Sequence, residues 1–240
     1  MYPKIIYQSW KSHNIPDKCK TWVQSWKDHN PDYEYILWDD QENHEFVKTY
    51  FPQYLEVYEG FPREIFRCDF VRHLFLYKYG GIYADLDFEC LRPFDPLLEE
   101  NDDVDILLGE LVGLKIYKIP NAIMISKPGN KFWLDVCDRI VALYHHCDKD
   151  NFPIPEFITG PMVLEKTYHE KERSDIRILP PEDFYQVNFL SWQWKGDKDK
   201  FKKAQRDAAL NNGGYAVTYW MSSWIYPGYA KGLYKTCEEM

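Results

Sequence analysis

Tyr79-Gly80-Gly81-Ile82-Tyr83-Ala84-Asp85-Leu86-Asp87-Phe88 is the stretch on which the fold turns. A glycine pair ends a helix well, because glycine tolerates the left-handed backbone of a C-terminal stop. Upstream, Arg63 to Tyr79 carries the longest helical pattern in the chain, closed by Gly80-Gly81. Downstream, Ile82 to Phe88 is rich in β-formers and reads as a strand. Residues i and i+2 of a strand face the same side, so Asp85 and Asp87 are expected to share one space about 7 Å wide while Leu86 packs the other way.

Outward from this unit, strands and helices alternate. Lys4 to Gln8 reads as a strand and Lys18 to His29 as a helix ending at Asn30-Pro31. Tyr33 to Trp38 reads as a strand, after which Asp39 or Asp40 caps a helix to about Tyr50. Arg92-Pro93 opens a loop. Asp105 to Glu110 and Ala122 to Ser126 are further strands, and Lys131 to His146 is a helix. Thr159-Gly160-Pro161 opens a helix to about Lys171, and Ile176 to Leu179 and Tyr215 to Tyr219 are late strands. Asn188 to Asn212 is polar, contains tryptophan and reads as an insertion near the site. The pattern predicts an α/β fold with a mainly parallel central sheet and helices on both faces. No repeat or low-complexity linker divides the chain.

The 240 residues suffice for a full core, and 45% hydrophobic with 28% charged residues excludes a disordered chain. A net charge of −9 argues against a general nucleic-acid binder, which would carry a basic stripe. The aromatic share of 18% supplies flat faces suited to sugars and bases, or a tryptophan-rich core. The six cysteines (19, 68, 90, 137, 147, 237) form no tight framework and read as free thiols in a reducing compartment. No run of ~18 apolar residues spans a membrane. Met1-Tyr2-Pro3-Lys4-Ile5-Ile6-Tyr7 enters a strand without a leader-like pattern, so a cytoplasmic location is expected.

Asp-x-Asp alone is a weak signal, and it occurs here four times: 85/87, 103/105, 148/150 and 197/199. Only the first sits near the end of a core strand, where ligands bind in open parallel sheets. There it reads either as a Mg²⁺ or Mn²⁺ and phosphate site or as a capping or salt-bridged pair. On the preceding helix, Asp69, Arg72 and His73 share the apolar face with Ile65 and Leu76, so these charges point inward. They form either a structural ion pair or a group that meets phosphate and sugar hydroxyls. Arg63 and Arg67 lie on other faces and read as solvated.

Taken together, these blocks resemble the DXD-containing sugar-transferase family that includes the fungal initiating α-1,6-mannosyltransferase and many bacterial capsule and lipopolysaccharide enzymes. The chain is similar, more distantly, to the catalytic domains of the glucosylating bacterial toxins. The matching blocks are Pro3-Lys4-Ile5-Ile6-Tyr7-Gln8-Ser9-Trp10, Asn30-Pro31-Asp32-Tyr33-Glu34-Tyr35 through Trp38-Asp39-Asp40, and Cys68-Asp69-Phe70-Val71-Arg72 leading to Asp85-Leu86-Asp87. Thr159-Gly160-Pro161 and Ser223-Trp224 complete the order.

The resemblance implies a GT-A glycosyltransferase fold over residues 1–240, with a nucleotide-binding half to about 110 and an acceptor side and C-terminal lid beyond. It implies that Trp10 stacks on the base, that Asp69, Arg72 and Tyr83 bind the donor, and that Asp85 and Asp87 hold Mn²⁺ or Mg²⁺. Ser222 or Ser223, with Trp224, would close over the diphosphate. The implied activity is metal-dependent transfer of a sugar, with retained anomeric configuration, from a nucleotide-sugar. UDP-sugars are preferred and GDP-mannose fits as well; the acceptor is a glycan or a lipid-linked saccharide, in solution or at a membrane surface. Tyr7 stands where many relatives have His, and Thr218 and Tyr219 fill a segment that usually carries His, which leaves the third metal ligand open. The alternative is a non-catalytic nucleotide-sugar or carbohydrate-binding module. A phosphohydrolase fits less well, because its Asp pair ends a first strand. His145-His146-Cys147 reads as a solvated helix end, and Trp192-Gln193-Trp194 as an acceptor platform or an apolar patch.

Overall fold

A computed structural model describes residues 1–113, 117–186 and 198–221. Strand β1 (Ile5–Ser9) leads into helix α1 (Asp17–His29), strand β2 (Glu34–Trp38) and helix α2 (Asp40–Tyr50). Asp39 caps α2 through a reciprocal pair: its carboxylate accepts from the Glu42 N–H, and Glu42 accepts from the Asp39 N–H, both at 2.9 Å. A short α3 (Leu55–Gly60) precedes α4 (Glu64–Tyr79), which carries the predicted pattern. There follow β3 (Gly81–Ala84), β4 (Phe88–Cys90), α5 (Asp95–Glu100), β5 (Ile106–Gly109), β6 (Ile123–Ser126) and α6 (Phe132–His146). Then come α7 (Pro155–Ile158), α8 (Pro161–His169), β7 (Ile176–Leu179), α9 (Pro181–Phe184), α10 (Lys198–Asn211) and β8 (Ala216–Thr218).

The main sheet has the order β2-β1-β3-β6-β5-β7, and β4 pairs with β8 in a separate ribbon. β6 runs antiparallel to both its neighbours, and the other pairings are parallel. Alternate side chains feed two cores. Tyr7, Tyr83, Leu108 and Met124 pack with Phe46, Phe70, Phe75 and Trp133 of α2, α4 and α6. Ile6, Ile82, Leu107 and Ile125 pack with Trp26, Phe94 and Leu97 of α1 and α5. Helices therefore cover both faces, as a mainly parallel sheet requires. Tyr7 is fully buried and stacks on Phe75 and Tyr79, so it belongs to the core.

Two sequence readings need correction. The run Ile82 to Phe88 is not one strand: β3 stops at Ala84, and Asp85-Leu86-Asp87 forms a turn in which the Phe88 N–H reaches the Asp85 carbonyl at 3.1 Å. The Asp85 N–H is drawn to the Ala122 carbonyl at 2.8 Å, and the chain leaves the main sheet to pair with β8. Arg67 is also not solvated. It donates to the Tyr58, Glu59 and Phe61 carbonyls and clasps the loop before α4. Within 188–212, the described part from Lys198 is the helix α10, with Ala209 buried against Val217 and Trp22. His145 and His146 are exposed at the end of α6. The described cysteines are free, and no described helix is long and apolar enough to cross a membrane.

Among the described glycines, Gly81 is the one whose Cβ would come nearest to another strand's backbone. Its φ is +91°, and a Cβ there would sit 2.6 Å from the Ile5 carbonyl of β1. Left-handed backbone costs an ordinary residue about 1–2 kcal/mol, and the contact is with backbone that cannot step aside. Gly81→Ala is expected to cost about 2–4 kcal/mol of stability. An unchanged urea midpoint would overturn this.

Candidate active site

The chain passes from β1 to β2 on one side and returns to β3 on the other, so the strand order reverses at β1. Such a switch point opens a crevice beyond the carboxyl ends of the strands. Ser9 and Trp10 lie at the end of β1, and Asp85 follows β3. Gln8 ties the two ends: its Nε2 donates to the Asp85 carbonyl at 3.0 Å, and its Oε1 accepts from the Tyr35 hydroxyl at 2.7 Å. Trp10 is partly buried and packs in the cluster that contains Leu86 and Trp22; its N–H reaches the Trp38 carbonyl.

One buried chain of charge runs from the core to this crevice. The Arg72 guanidinium lies 3.0 Å from Asp69 and 3.3 Å from Asp85, and donates to the carbonyls of Asn121 and Cys68. It sits over the Tyr83 ring at 4.5 Å. The side chains of Asp69 and Arg72 are 9% and 4% exposed, whereas that of Asp85 is 35% exposed, so the chain surfaces at Asp85. Asp69 also accepts from the Asn121 amide at 3.1 Å and from the Thr159 hydroxyl at 3.2 Å. Burial nevertheless pushes its carboxyl up to about 6. Burial opposes the charge on Arg72, but the surrounding carboxylates outweigh it and hold the cation. Tyr83 is buried and donates to Asp85 at 2.9 Å, which orients that carboxylate. His73 is buried, stacks on Trp133 and is held neutral, with its pKa lowered to about 3 by burial and by Arg72.

Asp87 differs from Asp85 in having no ion pair with a Lys or Arg among the described residues. Its Oδ2 accepts from the Met221 N–H at 2.6 Å and its Oδ1 lies 3.5 Å from the Thr218 hydroxyl, both at the end of β8. Burial, and then the neighbouring Asp85, push its carboxyl up to about 7. Two raised carboxylates, only one of which meets a cation, lack positive charge, and a divalent ion that takes oxygen ligands would supply it. Asp85 and Asp87 therefore fit Mg²⁺ or Mn²⁺. Thr218 occupies the place read as a missing His and holds Asp87 by its hydroxyl. Ser222, Ser223, Trp224 and Trp192-Gln193-Trp194 lie outside the described residues. Among the described residues, the cluster of three metal-capable side chains is His13, Asp39 and Glu42, and the last two already form the α2 capping box.

Asn121 escaped the sequence reading because β6 is antiparallel: the residues before it lie at the same edge as the carboxyl end of β3. Pro120-Asn121 ahead of an apolar strand was the available signal. Glu156, three residues before Thr159, was missed too. Burial pushes it up to about 7, and nearby Asp69 adds to the shift.

The fold is of the GT-A type. The PaToxG glycosyltransferase superposes with a TM-score of 0.54 at 17% identity, over 89% of this chain and 79% of that one. A glycosyltransferase involved in glycosylation of the major capsid of PBCV-1 gives 0.50 at 10%, over 89% and 92%. At such identities the likeness concerns fold alone. Residues 16–103 match the family described as "Glycosyltransferase sugar-binding region containing DXD motif". It is 32% identical over 228 residues to a mannosyl phosphorylinositol ceramide synthase of Saccharomyces cerevisiae, covering 88% of this chain and 56% of that protein. It is 52% identical over 96 residues to inositol phosphoceramide mannosyltransferase 3 of Schizosaccharomyces pombe, covering 40% of this chain and 27% of that protein. The chain thus spans only about a quarter to just over half of these relatives' length.

Proposed function

We propose that this chain is the catalytic region of a metal-dependent glycosyltransferase that moves a hexose, mannose by preference, from a nucleotide-sugar to an acceptor hydroxyl. The observation that carries the reading is the buried Asp69–Arg72–Asp85 chain, which surfaces beside Asp87 at the sheet's switch point. The names of the relatives favour mannose as the sugar, which makes GDP-mannose the donor to try first, and an inositol phosphoceramide as one acceptor.

In this reading Asp85 and Asp87 hold Mn²⁺ or Mg²⁺, which when bound neutralises the diphosphate as the sugar–oxygen bond breaks. Arg72 and Tyr83 fix the Asp85 carboxylate, so its geometry is set before the donor arrives. Asp69, held by Asn121 and Thr159, keeps Arg72 in place. Trp10, beside the Asp85-Leu86-Asp87 turn, offers a ring for the base. Ser222, Ser223 and Trp224, given a donor role by the resemblance, follow Met221 in the sequence. Retention of anomeric configuration is part of the proposal.

Thermal melting with a nucleotide-sugar panel, with and without Mn²⁺, tests this. GDP-mannose is expected to raise the melting temperature by about 5–10 °C near saturation, and only with Mn²⁺. No shift with any donor would favour a binding module for some other sugar ligand. A metal-independent shift would remove the role given to Asp85 and Asp87.

A further inference from the structure

We propose that Glu89 is a positioning residue for Asp87: by joining Tyr219 and Arg206 it fixes the strand end that orients the metal-binding carboxylate. The proposal rests on the metal-site reading above.

Apart from Asp87's own backbone N–H, the groups that hydrogen-bond the Asp87 carboxylate among the described residues come from 218–221: the Thr218 hydroxyl and the Met221 N–H. The Tyr219 N–H also bonds the Asp87 carbonyl at 3.0 Å. Yet the ribbon that brings this segment there is only three residues long on each strand, with Phe88 opposite Thr218, Glu89 opposite Val217 and Cys90 opposite Ala216. A two-stranded ribbon of that length does not hold itself.

Helix α1 holds β4: Trp26 Nε1 donates to the Phe88 carbonyl and the Ser25 hydroxyl accepts from the Cys90 N–H, both at 2.9 Å. Glu89 adds the side-chain tie to the segment after β8. Its side chain is 13% exposed, and its two oxygens serve two different elements. One accepts from the Tyr219 hydroxyl and the other from Arg206 Nε on α10 at 2.7 Å. The Tyr219 ring stacks on Trp22 of α1, with centroids 4.7 Å apart. One carboxylate therefore ties β4, β8 and α10 together two residues beyond Asp87.

The next residue shows why the hold matters. Trp220 has φ +47°, in the left-handed region that ordinary residues avoid. Such backbone persists only where its surroundings over-determine it. Here Tyr219 is pinned by Glu89 on one side, and the Trp220 ring stacks on Tyr185 on the other at 5.9 Å. The left-handed turn delivers the Met221 N–H to Asp87. With Glu89 released, the turn can relax and Asp87 loses its shortest hydrogen bond.

The test measures Mn²⁺ binding by the whole chain, followed by the electron paramagnetic resonance of the free ion, with no donor present. Tyr219→Phe keeps the ring stack and removes only the hydroxyl; Glu89→Gln removes the charge that holds Arg206. Each is expected to weaken Mn²⁺ binding by about tenfold or more, the usual loss when a group that orients a ligand is removed. Melting temperatures should stay within a few degrees of wild type, and Arg206→Lys, which keeps a cation at Glu89, should recover most of the affinity lost in Arg206→Ala. If Tyr219→Phe and Glu89→Gln bind Mn²⁺ as wild type does while Asp87→Ala does not, the positioning role is overturned and the metal site stands. If Asp87→Ala also binds as wild type does, or wild type binds none, both readings fall. If Glu89→Gln fails to fold, Tyr219→Phe decides alone.

Discussion

Asp87→Asn is expected to lower sugar transfer by about three orders of magnitude or more while leaving the protein folded. The asparagine oxygen can still accept from the Met221 N–H, so the turn at 219–221 keeps its hydrogen bond. What disappears is a negative charge that burial and Asp85 already hold up at about 7. Removing a charge so poorly solvated relieves the fold, and the melting temperature is expected to stay level or rise. Catalysis would lose instead, because a divalent ion at the proposed site would keep only Asp85, which Arg72 already partly neutralises. A thousandfold loss corresponds to about 4 kcal/mol, the scale on which a bound cation stabilises a departing diphosphate. Turnover of Asp87→Asn within tenfold of wild type, at saturating Mn²⁺, would sink the assignment. A variant that melts far below wild type would mean that Asp87 is a structural hub instead.

The parts of this site legible in the sequence are those fixed by local periodicity. The inward face of α4 placed Asp69 and Arg72 together because the helical repeat alone decides it, and Gly80-Gly81 marked the stop because the backbone there has φ of +66° and +91°. Asp85 and Asp87 were found for a partly wrong reason. β-propensity extended the strand through Phe88, whereas β3 stops at Ala84, the Phe88 N–H turns back to the Asp85 carbonyl, and long-range pairing with β8 takes the chain out of the main sheet. The partners of these residues were invisible for the same cause. Asn121 reaches the site because β6 runs backwards, Thr159 because α7 packs across α4, and Glu89 matters because Cys90 pairs with Ala216. None of these depends on nearby sequence. The missing His was read as a gap, yet Thr218 and Tyr219 each hold part of the site in its place.

Arg72→Met is expected to destabilise the fold by about 3–5 kcal/mol, the usual result of removing one partner from a buried ion pair. Methionine is close in length, so the loss is mainly electrostatic. It strands Asp69, 6% exposed, with only the Asn121 amide and the Thr159 hydroxyl as donors, and it frees the Asn121 carbonyl. The pH dependence separates this cause from lost packing. Asp69 stands at about 6 even beside Arg72, and without that cation its carboxyl moves higher. The native state then keeps a proton that the unfolded chain has already released, so stability falls as pH rises through that window. At pH 5 both proteins carry a protonated Asp69 in the native state, and the gap between Arg72→Met and wild type is expected to be smaller than at pH 8. Arg72→Lys should recover less than half of the loss, since one ammonium cannot serve Asp69, Asp85 and the Asn121 carbonyl from a single fork. A gap that is the same at both pH values would assign the loss to packing around Tyr83 instead of charge. In that case Arg72 would not be the link through which Asp69 supports Asp85, and the buried chain of charge would end at the core.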